Sequence, residues 1–268
     1  MKNKHCFVLA LACSLLSSPA LADADCKKLV MTGNSEYPPV SWRDRTQPSK
    51  ITSLAVDLVE MAMKEVGVPV ESRYVGPWKR AHLAMRNGEV DVIQNAYMNE
   101  ERKTYLEYTS TPYIMDPTVI FVKKGHKIDF KKKEDLVGLS GAAPLGESYG
   151  DDFDNFAKAK LKIDLTTSIE VAFRKLLAGR SQYVVFGLYP GVAAADTAGI
   201  GDQIEALPNS VINEGMYIAI SKKSPCVKYK DHLSAKITEY VKQGIPEKLL
   251  EKYKKVWKEQ SKMKIPEN

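Results

Sequence analysis

The sequence predicts an α/β protein of two lobes, and two features of the chain carry this prediction. Short apolar runs typical of buried strands alternate with amphipathic stretches of helical spacing over residues 29–94 and again over 137–186. Such alternation is the pattern of a parallel sheet covered by helices. Apolar runs near 204–221 and two further amphipathic stretches then lead the chain back. We therefore predict that the second lobe is inserted into the first.

The N-terminal half begins with a predicted strand at 29–32 and a loop fixed by Pro38-Pro39, through which neither strand nor helix can continue. This loop presents Tyr37, and residues 43–50 read as polar turn material. The elements predicted next are a helix over 54–66 ended by Gly67, a strand at 70–75, a helix from Gly76-Pro77 to residue 87 and a strand at 90–94.

The C-terminal half begins with an apolar run at 118–122, after Asp116-Pro117. Strands are predicted to start at 137–140 and to occupy 183–186, and strands at 204–208 and 216–221 lead back. Helices are predicted after the loop 146–150 and over 167–177, 229–243 and 246–257.

The first 22 residues have the form of an export signal. Lys2 and Lys4 form a basic end, residues 7–16 are apolar, and Ala20-Leu21-Ala22 is a small-residue cleavage site. Cleavage after Ala22 would leave 268 − 22 = 246 residues. We therefore expect a soluble periplasmic protein.

The charge and hydropathy of the mature chain argue against nucleic-acid binding and against a membrane-spanning helix. Removing Lys2 and Lys4 reduces the formal charge from +6 to +4, and the remaining lysines form short runs without interleaved aromatic residues. Nucleic-acid binding is therefore not predicted. No later stretch approaches the roughly 18 to 20 apolar residues of a membrane span, so no transmembrane helix is predicted either.

Two cysteines, Cys26 and Cys226, remain after the signal is removed. In an oxidising compartment such a pair predicts a disulfide, which would join the two ends of the mature chain within one lobe. The alternative is two unpaired thiols.

Arg102 is the candidate anion anchor of the chain. It follows the predicted strand at 90–94 and the polar residues Asn95 and Tyr97, at the edge of the sheet where α/β proteins place their ligand sites. A guanidinium can hold a carboxylate with two parallel hydrogen bonds. The alternative is a solvated turn. Trp78, in the first turn of a helix on the same side, is open to interpretation as a core residue or as a ligand platform.

The glycine loop at 146–150 permits two interpretations. A glycine loop that enters a helix offers free backbone N–H groups to an anion. The same residues match the G-x-S-x-G nucleophile elbow, and Ser148, Asp196 and His232 follow the chain order of a serine hydrolase. Pro144 interrupts the strand that should lead directly into such an elbow, which disfavours the hydrolase.

The remaining polar residues predict no catalytic, metal or cofactor site. His82, His126 and His232 lack metal-ligand spacing with any cysteine or carboxylate, and the chain has no P-loop and no G-x-G-x-x-G sequence.

The order of the motifs resembles that of the family-3 solute-binding proteins of polar amino-acid ABC transporters. The matching segments are Tyr37-Pro38-Pro39, Asp57-Leu58, Pro77-Trp78-Lys79-Arg80, Gly88-Glu89-Val90-Asp91, Glu101-Arg102 and Ser110-Thr111-Pro112-Tyr113. The resemblance implies a type II periplasmic-binding-protein fold, with two lobes joined by two crossover strands. It places lobe 1 at 23–112 and 214–268 and lobe 2 at 113–213.

The resemblance also implies a function and a site. It implies a monomeric periplasmic protein, not an enzyme, that binds a small ligand for an inner-membrane ABC permease. Arg102 takes the position that holds the ligand carboxylate, and Trp78 and Tyr37 take wall positions. The segment from Asn95 to Tyr97 offers polar contacts, and the second-lobe loop contributes Gly146, Glu147, Ser148 and Tyr149.

One position departs from the family pattern. Amino-acid binders of this family usually have an aspartate for the ligand ammonium where this chain has Gly187. An unpaired ammonium in a closed cleft would be costly, so either another acid such as Glu147 replaces that aspartate or the ligand is not a standard α-amino acid. A dehydratase with Glu147 as proton donor and a protein that presents its ligand to a sensory receptor remain as alternatives.

Overall fold

The strands and helices of the chain follow the predicted order. A computed structural model describes residues 25–98, 100–145, 147, 149 and 151–264. The strands are β1 (Leu29–Thr32), β2 (Glu36–Tyr37), β3 (Ser41–Arg43), β4 (Ile51–Ser53), β5 (Val70–Ser72), β6 (Val92–Ala96), β7 (Leu106–Tyr108), β8 (Ile114–Lys123), β9 (Ser140–Pro144), β10 (Lys162–Thr166), β11 (Tyr183–Gly187) and β12 (Ile204–Ser221). The helices are α1 (Leu54–Lys64), α2 (Trp78–Asn87), α3 (Glu100–Lys103), α4 (Asp151–Lys160), α5 (Ile169–Leu177), α6 (Leu188–Thr197), α7 (Lys230–Lys242) and α8 (Ile245–Gln260).

Two long strands connect the two halves of the sheet. The strand order is β10-β9-β11-β8-β12-β6-β1-β5, with β7 also paired to β12. Residues 204–216 of β12 pair with β8 in one half, and residues 217–221 pair with β6 and β7 in the other. The chain therefore leaves the first half through β8 and returns through β12, which confirms a two-lobed α/β fold with two crossover strands. The lobe limits at 112/113 and 213/214 lie beside these crossings and stay a prediction.

The core of the first lobe joins both ends of the chain. Helix α1 begins at the cap Ser53, whose hydroxyl accepts the Ala55 N–H at 3.1 Å. Its buried face packs with β1 and with α7 and α8, which come from the end of the sequence. Leu58 of α1 is fully buried, and each such side chain contributes about 1.5–3 kcal/mol of hydrophobic stabilisation.

A disulfide and a buried amide tie the first lobe together. Cys26 and Cys226 are bonded across a sequence separation of 200 residues, as predicted. At the end of α8, the Gln260 side chain accepts the Trp42 indole N–H at 2.9 Å and donates to Asp44 at 3.0 Å. Arg45 donates to the carbonyl oxygen of Ser261 at 2.8 Å. The C-terminal helix is therefore held by a loop near the N-terminus.

The second lobe packs around a continuous segment of chain. Helix α5 buries Phe173 against Phe121 of β8, with their ring centroids 5.4 Å apart. Helix α6 comes close enough to this strand that a Cβ at Gly191 would lie 2.4 Å from the Phe121 ring. Only glycine fits at that contact.

Several elements differ from the sequence prediction. Residues 36–53 form the small antiparallel sheet β2-β3-β4, although they read as loop and turn, because strands of two or three residues are too short to show a period. The two predicted return strands are one strand, β12, whose pairing register shifts between Ala206 and Ser210, around Pro208. Strand β10 lies at the sheet edge with exposed polar residues, and α6 begins with Pro190 in its first turn, so neither was predicted.

Candidate functional site

The candidate site begins where β6 ends. All five residues of β6 are buried, and Asn95 adopts a positive φ of 60° that turns the chain out of the sheet. The Asn95 side-chain oxygen accepts the Tyr113 hydroxyl at 2.8 Å, which holds this turn from inside. Asn95 is therefore a buried residue that supports the site, and Tyr97 is the first partly exposed residue after β6.

Arg102 and Trp78, which are both predicted site residues, lie beside each other. The Arg102 guanidinium donates to the Tyr97 carbonyl oxygen at 3.0 Å, and its carbon lies 5.8 Å from the centre of the Trp78 ring. Both residues are half-buried. The open groove next to them is lined by first-lobe residues, including His82, Arg86 and Tyr105.

The positive charge of this groove comes from its arginine and lysine residues, and His82 adds none. Burial, together with the charges of Arg102 and Arg86, lowers the pKa of His82 to about 4, so His82 is neutral at physiological pH. The His82 ring contacts Trp78 edge to face at 4.3 Å between centroids and therefore supports the tryptophan. This arrangement suits an anionic group placed against Arg102.

A second group of side chains surrounds Asp116 of β8. Asp116 is 2% exposed, and one oxygen of its carboxylate accepts the Tyr37 hydroxyl at 2.7 Å and the Tyr97 hydroxyl. Its other oxygen, Oδ1, has no hydrogen-bond partner in the described part of the chain. The pKa of Asp116 is raised to about 6, chiefly by burial; the two tyrosine donors oppose this rise, and the charges of Glu147 and Glu214 add to it.

Tyr97 connects the two groups. Its carbonyl oxygen accepts from Arg102 and its hydroxyl donates to Asp116, so the guanidinium and the carboxylate lie at opposite ends of one residue. Sequence analysis missed Asp116, because Asp116-Pro117 reads as the turn before an apolar strand. The available signal was an acidic residue directly beside a run of apolar strand residues.

The second-lobe loop is described in part. Gly146 and Ser148 lie outside the described residues. The residue Glu147 is solvent-exposed. The protein atoms around its carboxyl group nevertheless desolvate this group in part, which raises the pKa of Glu147. The Tyr149 hydroxyl donates to the Val185 carbonyl oxygen at 2.9 Å within the second-lobe core. The structure therefore places Tyr149 among core residues and Glu147 near Asp116.

Gly187 brings the lobes into contact. It precedes α6 of the second lobe, and a Cβ at this position would lie 2.6 Å from the Tyr37 hydroxyl of the first lobe. An aspartate would not fit at that distance without moving Tyr37 away from Asp116. The absence of an acid at 187 therefore has a steric reason.

The alternative chemistries find little support in the geometry. His232 hydrogen-bonds the Ala62 carbonyl oxygen at 2.8 Å between α7 and α1 of the first lobe, whereas Asp196 lies in α6 of the second. Across the residues that the structure describes, no group of three His, Cys, Asp or Glu side chains could hold a metal ion. None of the described helices is long and apolar enough to cross a membrane.

Two lobes joined by β8 and β12, with charged and aromatic residues between them, define a ligand-binding protein of the type II periplasmic fold. Comparison with known families agrees. The chain belongs to the bacterial extracellular solute-binding proteins, family 3, whose sequence profile matches residues 29–260.

Individual relatives bind amino acids. The L-cystine-binding protein TcyJ of Escherichia coli (strain K12) is 28% identical over 114 residues, which are 42% of this chain and 41% of the relative. The match thus spans about two fifths of that curated relative's length. An ancestral arginine-binding protein bound to arginine is 25% identical over 85% of this chain and 98% of its own, with a TM-score of 0.60. A mutant of ArgBP from T. maritima, 22% identical over 85% of this chain and 95% of its own with a TM-score of 0.59, shares the fold.

Proposed function

We propose that this protein is exported to the periplasm, where it captures a small carboxylate-bearing solute between its lobes and delivers it to an inner-membrane ABC permease. Membership of family 3 supports a solute-binding role. The amino-acid ligands of its relatives support a solute of that size and class. Cleavage after Ala22 and action as a monomer belong to the same proposal.

Arg102 is the observation that carries the ligand class. Its guanidinium lies 5.8 Å from the Trp78 ring centre, in a groove that Lys79 and Arg80 also line and in which His82 is neutral. A planar guanidinium beside an aromatic ring matches a carboxylate in both charge and shape. We therefore propose Arg102 as the carboxylate anchor, with Trp78 as the ring that covers the ligand.

The remaining predicted residues complete the site in this proposal. Tyr37 lies at the contact between the lobes, opposite Gly187, so a ligand bound there would be enclosed by both lobes. Glu147 approaches from the second lobe. Asn95 supports the turn that presents Tyr97. Closure about β8 and β12 would remove the ligand from water and strengthen its contacts with these charged groups.

The test is binding by the mature chain and by an Arg102→Ala variant. A thermal-shift screen against amino acids, polyamines and organic acids identifies ligands, and calorimetry measures their affinity. We expect Arg102→Ala to weaken binding of the best ligand about 10- to 100-fold, because it leaves the ligand carboxylate unpaired. Arg73→Ala is the control, since Arg73 pairs with Glu71 on the surface. Equal affinity of the wild type and Arg102→Ala would refute this anchor.

We also propose that the protein acts by binding and not by turnover. The raised pKa of Glu147 supports its candidacy as the proton donor of the dehydratase alternative. Incubation with a cyclohexadienyl acid, followed by ultraviolet absorbance, distinguishes the two. Steady conversion that disappears in Glu147→Gln would make the protein an enzyme.

A further inference from the structure

Three acidic residues lie around the crossing between the lobes. Asp116 of β8 and Glu214 of β12 lie directly opposite each other in the antiparallel ladder. Glu147, from the second lobe, lies near enough for its charge to raise the pKa of Asp116. Like charges placed opposite each other in a ladder are unfavourable, so this arrangement lowers stability unless something compensates for it.

No cation of the described chain compensates for these charges. Neither Asp116, Glu147 nor Glu214 forms an ion pair with any lysine, arginine or histidine that the structure describes. The rest of the protein is rich in such residues, with 39 Lys and Arg against 33 Asp and Glu. The negative cluster is therefore a local exception in a basic protein.

Only one of the two oxygens of the buried Asp116 carboxylate has hydrogen-bond partners among the described residues. The Tyr37 and Tyr97 hydroxyls both donate to Oδ2, while Oδ1 is buried and has no partner among the described residues. A buried acceptor without a donor costs about 1–3 kcal/mol, and more when it is charged. A buried group of this kind in a native protein calls for an explanation, such as strain, a catalytic role or a bound water or ion.

Aromatic rings surround this carboxylate. Tyr37 and Tyr97 contact it directly, and the charge of Asp116 raises the pKa values of Tyr113 and Tyr189, in addition to the larger effect of their burial. The two direct contacts are made by uncharged hydroxyl groups, so they leave the negative charge of ionised Asp116 uncompensated. A carboxylate among tyrosines therefore favours a positively charged nitrogen and disfavours a second anion.

We infer that Asp116 holds the positively charged nitrogen of the ligand, through its unpartnered Oδ1, and that it replaces the acid missing at Gly187. This inference rests on the proposed function and narrows its ligand class. With Arg102 and Asp116 at the two ends of Tyr97, the preferred solute carries both a carboxylate and a protonated amine or guanidinium. A dicarboxylate would bring another negative charge to three existing ones, so it is excluded as the preferred ligand.

Matched pairs of probes test the inference. L-Arginine and L-citrulline differ in the charge of the side chain, and L-glutamine and 4-carbamoylbutanoate differ in the α-ammonium group. Thermal shift and calorimetry are applied to both pairs and to the best ligand of the screen. We expect the best ligand to carry a positive nitrogen, and within the pair that varies this nitrogen we expect the charged probe to bind at least tenfold more tightly than the probe that lacks that charge.

Variants then assign the effect to Asp116. Asp116→Asn should weaken binding of the charged probe about 10- to 100-fold and change binding of its neutral counterpart less than threefold. Asp202→Asn is the matched control, because it removes the same charge from an exposed position ahead of β12. If Asp116→Asn does not fold, Glu214→Gln removes the opposing carboxylate and should weaken the same probe severalfold.

Two results would overturn the inference, and they are distinguishable. A best ligand without a positive nitrogen, bound in an Arg102-dependent way and unaffected by Asp116→Asn or Glu214→Gln, would refute the role of Asp116 and leave the proposed function standing. A wild type that binds no probe at all, although it is folded by circular dichroism, would refute both.

Discussion

The two lobes are held together by different interactions. The first lobe consists of two chain segments, and a disulfide and the Gln260 hydrogen bonds join them. The second lobe lies within one continuous segment, and residues 113–213 contain no cysteine. Its helices α5 and α6 pack directly on strands of the same continuous segment.

The difference follows from chain entropy. Bringing together two segments separated by an inserted lobe carries a loop-closure cost that a continuous segment does not have. A covalent link removes most of this cost from the unfolded state. We infer that the first lobe depends on its cross-links and the second on its aromatic core.

The three tryptophans make this comparison measurable. Trp42, Trp78 and Trp257 all lie within the limits predicted for the first lobe, and residues 113–213 contain none. Tryptophan fluorescence therefore reports unfolding of the first lobe, whereas far-ultraviolet circular dichroism reports both.

The largest effect is expected from removing the disulfide. Replacing Cys26 and Cys226 by serine should lower the free energy of unfolding by at most roughly 5 kcal/mol, because the bond closes a loop of 200 residues. Urea titration followed by tryptophan fluorescence should show an earlier transition. An unchanged fluorescence midpoint would mean that packing alone holds the two segments together.

The second-largest loss of stability is expected from a substitution in the core of the second lobe. Phe173→Ala should cost about 3–5 kcal/mol, because Phe173 is fully buried against Phe121 and its removal leaves a cavity. The dichroism transition should then precede the fluorescence transition. Phe156→Ala, at a half-exposed position of α4, is the control and should change both midpoints little. Coincident transitions in Phe173→Ala would show that the lobes unfold as one unit.

The smallest effect concerns the crossing between the lobes and depends on pH. The pKa of Asp116 is raised from 3.8 to about 6, so its contribution to the stability of the free protein is fully present below pH 4 and is lost as the pH rises through 6. The contribution is at most about 3 kcal/mol. The titratable groups that face Asp116 are Tyr37, Tyr97, Tyr113, Tyr189, Glu147 and Glu214.

Comparison of the wild type with Asp116→Asn isolates this contribution. The difference in their free energies of unfolding should change between pH 4 and 6.5 and should be flat above pH 7.5. A difference that is constant across this range would show that Asp116 titrates normally. Binding of a positively charged ligand should weaken over the same range as the pH falls, since protonated Asp116 cannot pair with it.

Much of the fold was predictable because its signals are local. The helices α1, α5, α7 and α8 each carry an apolar stripe at helical spacing, and the order of strands and helices identifies the two-lobed class. The small sheet β2-β3-β4 was not predictable, because its pairing joins residues about ten apart in strands without a visible period. The union of two predicted strands into β12 depends on a partner, β8, that lies far away in sequence.

The candidate site likewise contains residues that the sequence indicates and one residue that it does not. Arg102 and Trp78 could be proposed from the sequence because charge and aromatic character stand out beside a predicted strand end. Asp116 could not, because its significance lies in what surrounds it: two tyrosine donors on one oxygen, none on the other, and two further acids nearby.

The sequence by itself determined the two-lobed class and the pair of cysteines, because residue type and spacing are sufficient for each, and it supplied Arg102 as the proposed anion anchor. Only the tertiary structure decided that a glycine at 187 makes room for Tyr37 and that Asp116 is the buried acid beside it. Burial and hydrogen-bond pairing arise between residues distant in the chain, and no local pattern encodes them.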